Sequence, residues 1–124
     1  MSKFDKKKRG AYRQKIKGLD RTQTMKIKFR GEIRYNNSAE GRGHPCVVCY
    51  QSGKQFVVIG ITHKHKTRGK DNIPMHKNPD PTDKEPAYMR PVLMRESRDK
   101  FSNIIPGWRL GHEDEITIRD LIGK

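Results

Sequence analysis

Apolar positions in this chain recur with a period of two or in short unbroken blocks, which predicts strands over most of its length. From Met25 to Tyr35, Ile27, Phe29, Ile33 and Tyr35 alternate with charged residues, which predicts a half-buried strand that bends at Gly31. Residues 45–50 and 55–62 are β-branched or aromatic runs joined by Gln51-Ser52-Gly53-Lys54, which predicts a hairpin. Residues 36–43 form a loop by composition, with Gly41 and Gly43 free to take positive φ. A cationic loop over 63–70 follows the hairpin, then the brief apolar Ile73-Pro74-Met75 and an extended surface loop over 76–86, where three prolines stand. Ala87 to Met94 reads as a strand in which Pro91, lacking a ladder donor, requires an edge or a bulge. Trp108-Arg109-Leu110 predicts a further short strand. The segment 112–122 predicts a final helix, with Glu113, Asp114 and Glu115 at its N-terminus and Ile118, Leu121 and Ile122 on one side. The pattern predicts a mainly β domain of five or six short strands, curved into a small barrel that the C-terminal helix closes. Polar groups would gather at one rim.

Composition narrows this picture. Only 31% of the 124 residues are hydrophobic, so one modest core is expected. The net charge is +14, and it is uneven. Residues 1–30 hold twelve Lys or Arg against Asp5 and Asp20, a balance of +10, whereas the other 94 residues hold sixteen against twelve, a balance of +4. The chain therefore divides into a basic arm over 1–26, with a turn or two of helix over 11–19, and a nearly balanced domain over 27–124. The block Lys6-Lys7-Lys8-Arg9, with Arg13, Lys15 and Lys17, repels itself and predicts a disordered arm. Its natural partner is a polyanion, RNA or other nucleic acid first, because each phosphate neutralised releases condensed counterions. A solvated tail, a localisation signal or an anchor to an acidic protein are the alternatives. Neither the apolar face of a membrane-surface helix nor a signal-peptide core is visible, which predicts a soluble, cytoplasmic protein without membrane partners.

The two cysteines, Cys46 and Cys49, stand three apart in a predicted strand, so their thiols point to opposite faces. Buried free thiols are expected in place of a disulfide or a metal pair. His63 and His65 offer further nitrogen ligands, but a second CxxC is missing, so neither metal nor cofactor is assigned.

Six segments stand in a telling order: Gly31-Glu32-Ile33, a loop leading into His44-Pro45-Cys46-Val47-Val48, Ile59-Gly60-Ile61-Thr62, Ala87-Tyr88-Met89, Trp108-Arg109-Leu110-Gly111 and the acid- and aliphatic-rich Glu113 to Ile122. Through them residues 30–123 resemble the MazF/PemK (Kid/CcdB-like) toxin family. The resemblance implies an SH3-like barrel, an endoribonuclease that cuts single-stranded RNA without a metal, a protein antitoxin and a homodimer. The family's arginine before the proline is His44 here, with Arg42 two residues earlier, and the later-strand acid of some members has no counterpart near Arg90 to Met94. The basic arm is foreign to the family.

Metal-free RNA cleavage needs a base for the 2′-hydroxyl proton, an acid for the leaving 5′-oxygen and a cation for the charge that develops on phosphorus. His44 and His63 are the candidate acid/base pair, Thr62 an orienting hydroxyl, and Arg42 and Arg90 phosphate clamps. Lys64, His65, Lys66 and Arg95 extend the RNA-binding edge, to which Lys6, Lys7, Lys8 and Arg9 of the arm would add. Each histidine, taken alone, is as readily a surface residue, and Thr62 as readily a strand end. Tyr35, Tyr50, Phe56 and Tyr88 fall on strand-period positions and are expected to line the core, while Trp108 would anchor the helix or meet a second copy. A nucleic-acid-binding protein with the same barrel and no catalysis, or a module for an acidic protein, are the competing functions.

Overall fold

The computed structural model describes residues 28–38 and 43–123. The arm, its 11–19 helix and residue Arg42 lie outside them, as do residues 25–27 of the predicted 25–35 strand, whose described part is assigned as strand only from Ile33. Among the described residues, seven strands occur in the order β1 (Ile33–Asn36), β2 (His44–Ser52), β3 (Gln55–Thr62), β4 (Lys66–Thr67), β5 (Lys70–Asp71), β6 (Ile73–Pro74) and β7 (Tyr88–Ser97). A 3₁₀ turn (Arg98–Lys100) and the helix α1 (His112–Gly123) follow them. Five strands form one antiparallel sheet in the order β1-β2-β3-β7-β6, and β4 and β5 make a separate two-stranded ribbon.

The predicted hairpin is the centre of the sheet. β2 and β3 pair from Ser52↔Gln55 to Cys46↔Gly60 around a turn in which Gly53 has φ 61°, and Cys49 is an extra residue between Val48↔Val58 and Tyr50↔Val57. Alternation divides the side chains into two cores. Ile33, Val47, Val57, Ile59, Met89 and Leu93 face Ile105 and the helix residues Ile118 and Ile122. Cys46, Val48, Phe56 and Val58 form a smaller core on the other face, joined by Met94 and Phe101. The bulge turns both Cys49 and Tyr50 toward the larger core.

Both thiols are free and buried, on opposite faces as the spacing predicts. Burial pushes the Cys46 thiol up to about 12 and the Cys49 thiol higher still, which leaves both inert as nucleophiles. Gly31 interrupts the first strand as expected. It takes φ 79°, and a Cβ there would come within 2.8 Å of the Phe29 ring, so any other residue would be strained and would have to displace that ring. Pairing resumes beyond it, with the Arg30 and Gly31 amides donating to the carbonyls of Cys49 and Val48. Pro91 lies at a bulge inside the sheet, where Arg90, Pro91 and Val92 stand opposite the single residue Gly60.

Three expectations need correction. The sheet does not close into a barrel: among the described residues its edge strands β1 and β6 pair only with β2 and β7, and α1 covers one face where it was expected to complete a barrel. Trp108 to Leu110 is not a strand. This segment is held by single contacts, the Arg109 amide on the Pro79 carbonyl and the Trp108 ring edge-on to Tyr35 at 6.1 Å, too few for a ladder. The cationic loop over 63–70 contains all of a hairpin except Asp71, because Arg68-Gly69 makes a two-residue turn.

The helix is tied to the segment that follows β6 by a buried carboxyl group. Asp114 is 1% exposed, and its carboxylate accepts the amides of His76 at 2.8 Å and Lys77 at 3.2 Å. This bond fixes where the proline-rich loop leaves β6. Asp114→Ala is expected to lower stability by about 2–4 kcal/mol, read as a shift in the urea midpoint, because two amides lose a charged acceptor in the interior. An unchanged midpoint would mean that the loop is not anchored by this contact.

Candidate functional site

Antiparallel pairing brings one set of strand ends to a common rim. Asn36 at the end of β1 pairs with His44 at the start of β2, and Thr62 at the end of β3 pairs with Tyr88 at the start of β7, itself paired with Pro74 of β6. The β2–β3 ladder ends at Cys46↔Gly60, two residues short of His44 and Thr62 on their respective strands. His44 is exposed, and alternation places it on the same face as Cys46, the face of the smaller core.

Arg90 belongs to that face as well. The absent side chain of Gly60 leaves a bed for it, since a Cβ there would sit 3.5 Å from Arg90 Cδ and 3.8 Å from Cγ. Arg95 does not. It pairs with Val57, on the helix side, where its charge partly offsets the upward push that burial gives the Tyr50 phenol. Arg95 Nε and the Tyr50 hydroxyl oxygen are buried with no hydrogen-bond partner. Arg95 is thus separated from the other candidates by the thickness of the sheet.

His63 follows β3 directly and is drawn over the proline-rich loop. Its Nε2 lies 2.6 Å from Asp83 Oδ2 and 4.0 Å from Glu85 Oε2. The other Asp83 oxygen accepts the Glu85 amide at 3.0 Å. That amide first, and the His63 ring second, hold the Asp83 carboxyl below its ordinary value of 3.8. The loop is stiffened from within: Asn78 Oδ1 accepts the Asp80 amide, Asp80 Oδ1 accepts the amide and hydroxyl of Thr82, and Asn78 Nδ2 donates to the Glu85 carbonyl. Asp83 and Glu85 were not anticipated, because acids in a proline-rich loop carry no positional signal until the fold returns that loop to the end of β3. The ligand atoms of His63, Asp83 and Glu85 all lie within 4.8 Å of one another, so among the described residues these three form a group that could hold a divalent cation.

Thr62 has a local role. Its hydroxyl accepts the Lys64 amide at 3.1 Å and so shapes the exit from β3. Lys64, His65 and Lys66 then run along the exposed edge, and the His65 ring lies 6.5 Å from that of Tyr88. The structure therefore gathers Thr62, His63, Lys64, His65 and Lys66 at the rim, puts His44 and Arg90 on the adjoining face and removes Arg95. Arg42, Lys6, Lys7, Lys8 and Arg9 lie outside the described residues.

The other charged cluster sits farther along the same face. Arg30 and Arg34 both pair with Glu32, at 2.5 and 2.6 Å, and both lie over the Phe56 ring, at 4.9 and 5.2 Å from its centroid. These guanidiniums cover the smaller core and are already paired, which suits packing better than ligand capture. No helix among the described residues is long and apolar enough to cross a membrane. No family model, curated protein or solved structure matches the chain.

The depressed Asp83 carboxyl gives the His63 contact a defined pH range. With its folded value lowered, the carboxylate stabilises the rim above the ordinary value of 3.8, and the contribution is lost as pH falls through the depressed value. Carbon-13 NMR of the Asp83 carboxyl should show a midpoint below 3.8, and His63→Ala should raise it only in part, since the Glu85 amide remains. A midpoint at or above 3.8 would dissolve the pair.

Proposed function

We propose that the protein is a MazF/PemK-like endoribonuclease, SH3-like in architecture, that cleaves single-stranded RNA at this rim without a metal. The observation that carries the reading is the short His63–Asp83 contact at a strand end flanked by Thr62 and cationic side chains. A carboxylate on one ring nitrogen fixes the tautomer and orientation of an imidazole, as acid/base catalysis requires. With Nε2 engaged by Asp83, His63 presents Nδ1 to a substrate. His44, exposed on the adjoining face, supplies the second proton-transfer group.

In the proposed reaction one histidine takes the 2′-hydroxyl proton as the 2′-oxygen bonds to phosphorus. The other protonates the 5′-oxygen as its bond to phosphorus breaks. The products are a 2′,3′-cyclic phosphate and a 5′-hydroxyl, with no oxidant, reductant or water consumed. The proposal assigns the phosphorane charge to Arg90 and, from the sequence alone, to Arg42. The proposal takes Asp83 as the carboxylate that the later strand lacks.

The second reading, an RNA- or DNA-binding protein without catalysis, is favoured by the exposed run Lys64-His65-Lys66, which suits phosphate contacts whether or not cleavage follows. One experiment separates the two. A long single-stranded RNA incubated with the protein in EDTA should yield discrete cuts with 5′-hydroxyl ends. His63→Ala and His44→Ala should each slow cleavage by about 10²–10⁴-fold while RNA affinity stays within about tenfold. Tight binding with intact RNA would select the second reading, and cleavage that EDTA abolishes and a divalent metal restores would place a metal on His63, Asp83 and Glu85.

A further inference from the structure

We infer that the β4–β5 hairpin is a preformed finger that grips the RNA phosphate backbone, with Arg68 as its contact residue. The inference rests on the RNA reading above and assigns the grip to one element.

The hairpin has an uncommon tip. Arg68 and Gly69 both take positive φ, 54° and 76°, in a two-residue turn between the pairs Thr67↔Lys70 and Lys66↔Asp71. That geometry is ordinarily filled by Asn, Asp or Gly, because a Cβ crowds the neighbouring carbonyl in the left-handed region. Arg68 is the sole non-glycine residue with positive φ among those described. It has no short polar side chain to satisfy the turn locally, so the fold accepts a conformational cost without a local return. Costs of this kind collect where a side chain is needed for contact with something else.

The base of the finger is rigid. Asn72 is 6% exposed, and its side-chain amide donates to the Lys64 carbonyl at 2.9 Å and to the Thr67 hydroxyl at 2.8 Å. Its backbone amide donates to the His65 carbonyl at 2.9 Å. One buried side chain therefore clasps both ends of the segment that leads into the turn, so a ligand meets an ordered ribbon and little is lost to ordering. Lys64, His65, Lys66 and Arg68 are all exposed along it. Lys66 reaches Asp71 only at 4.0 Å, a contact that leaves its charge largely available. Because the ribbon begins at Lys66, three residues after His63, RNA gripped along it would run past the proposed site.

The test is fluorescence anisotropy with a labelled single-stranded RNA across a salt series, using full-length protein carrying His44→Ala so that the RNA stays intact. On that background Arg68→Asn should weaken binding roughly three- to tenfold and flatten the slope of log K against log salt by about 0.7, the share of one phosphate contact. The same substitution should raise Tm by about 2–6 °C, because Asn tolerates the left-handed turn, which excludes misfolding as the cause of lost affinity. Lys54→Asn removes one charge at the β2–β3 turn, at the far end of β3, and should leave affinity unchanged. Equal losses from the two variants, or none from Arg68→Asn, would overturn the finger while the RNA reading stood. Failure of the parent protein to bind RNA would overturn both.

Discussion

The antiparallel ladder between β2 and β3 is the constraint on which the rest of the molecule depends. Its register decides that Val47, Val57 and Ile59 face the helix and that Cys46, Val48, Phe56 and Val58 face away. A slip of one residue would exchange the two sets and expose both cores. The single extra residue at Cys49 adds Tyr50 to the larger core without disturbing the alternation up to Val48. The same ladder brings the start of β2 and the end of β3 to one rim, and so carries His44 and His63 to a common edge of the molecule.

Much of this arrangement can be read from residue pattern, for identifiable reasons. The central hairpin is legible because two β-branched runs flank a glycine-containing turn, and the helix because acids precede a stripe of Ile118, Leu121 and Ile122. Pro91 marks its own bulge by lacking an amide. What escapes is whatever depends on distant contacts. Barrel closure would require pairing between β1 and β6, which no local pattern encodes. Trp108 to Leu110 has strand-forming residues but finds no partner strand. Arg68-Gly69 is hidden as a turn because arginine is a poor occupant of its position.

The candidate site divides along the same line. Thr62, His63, Lys64, His65 and Lys66 are contiguous, so whatever end of the sheet receives one receives all. Asp83 enters only through the fold: prolines and Asx turns bend the 78–86 loop back until its carboxylate reaches His63. Arg95 shows the converse. Five residues from Arg90 in sequence, an odd number, it emerges on the other side of the sheet by alternation, which the two extra residues of the β7 bulge leave unchanged.

We propose that one rim of the open sheet meets RNA. Amide chemical-shift mapping during titration with a short single-stranded RNA tests it most directly. The predicted result is a contiguous set of perturbed amides at His44, Thr62 to Lys66 and Arg68, with α1 and the β2–β3 turn unmoved. Perturbations centred on α1 or on the Arg30–Glu32–Arg34 cluster, with the rim silent, would contradict it.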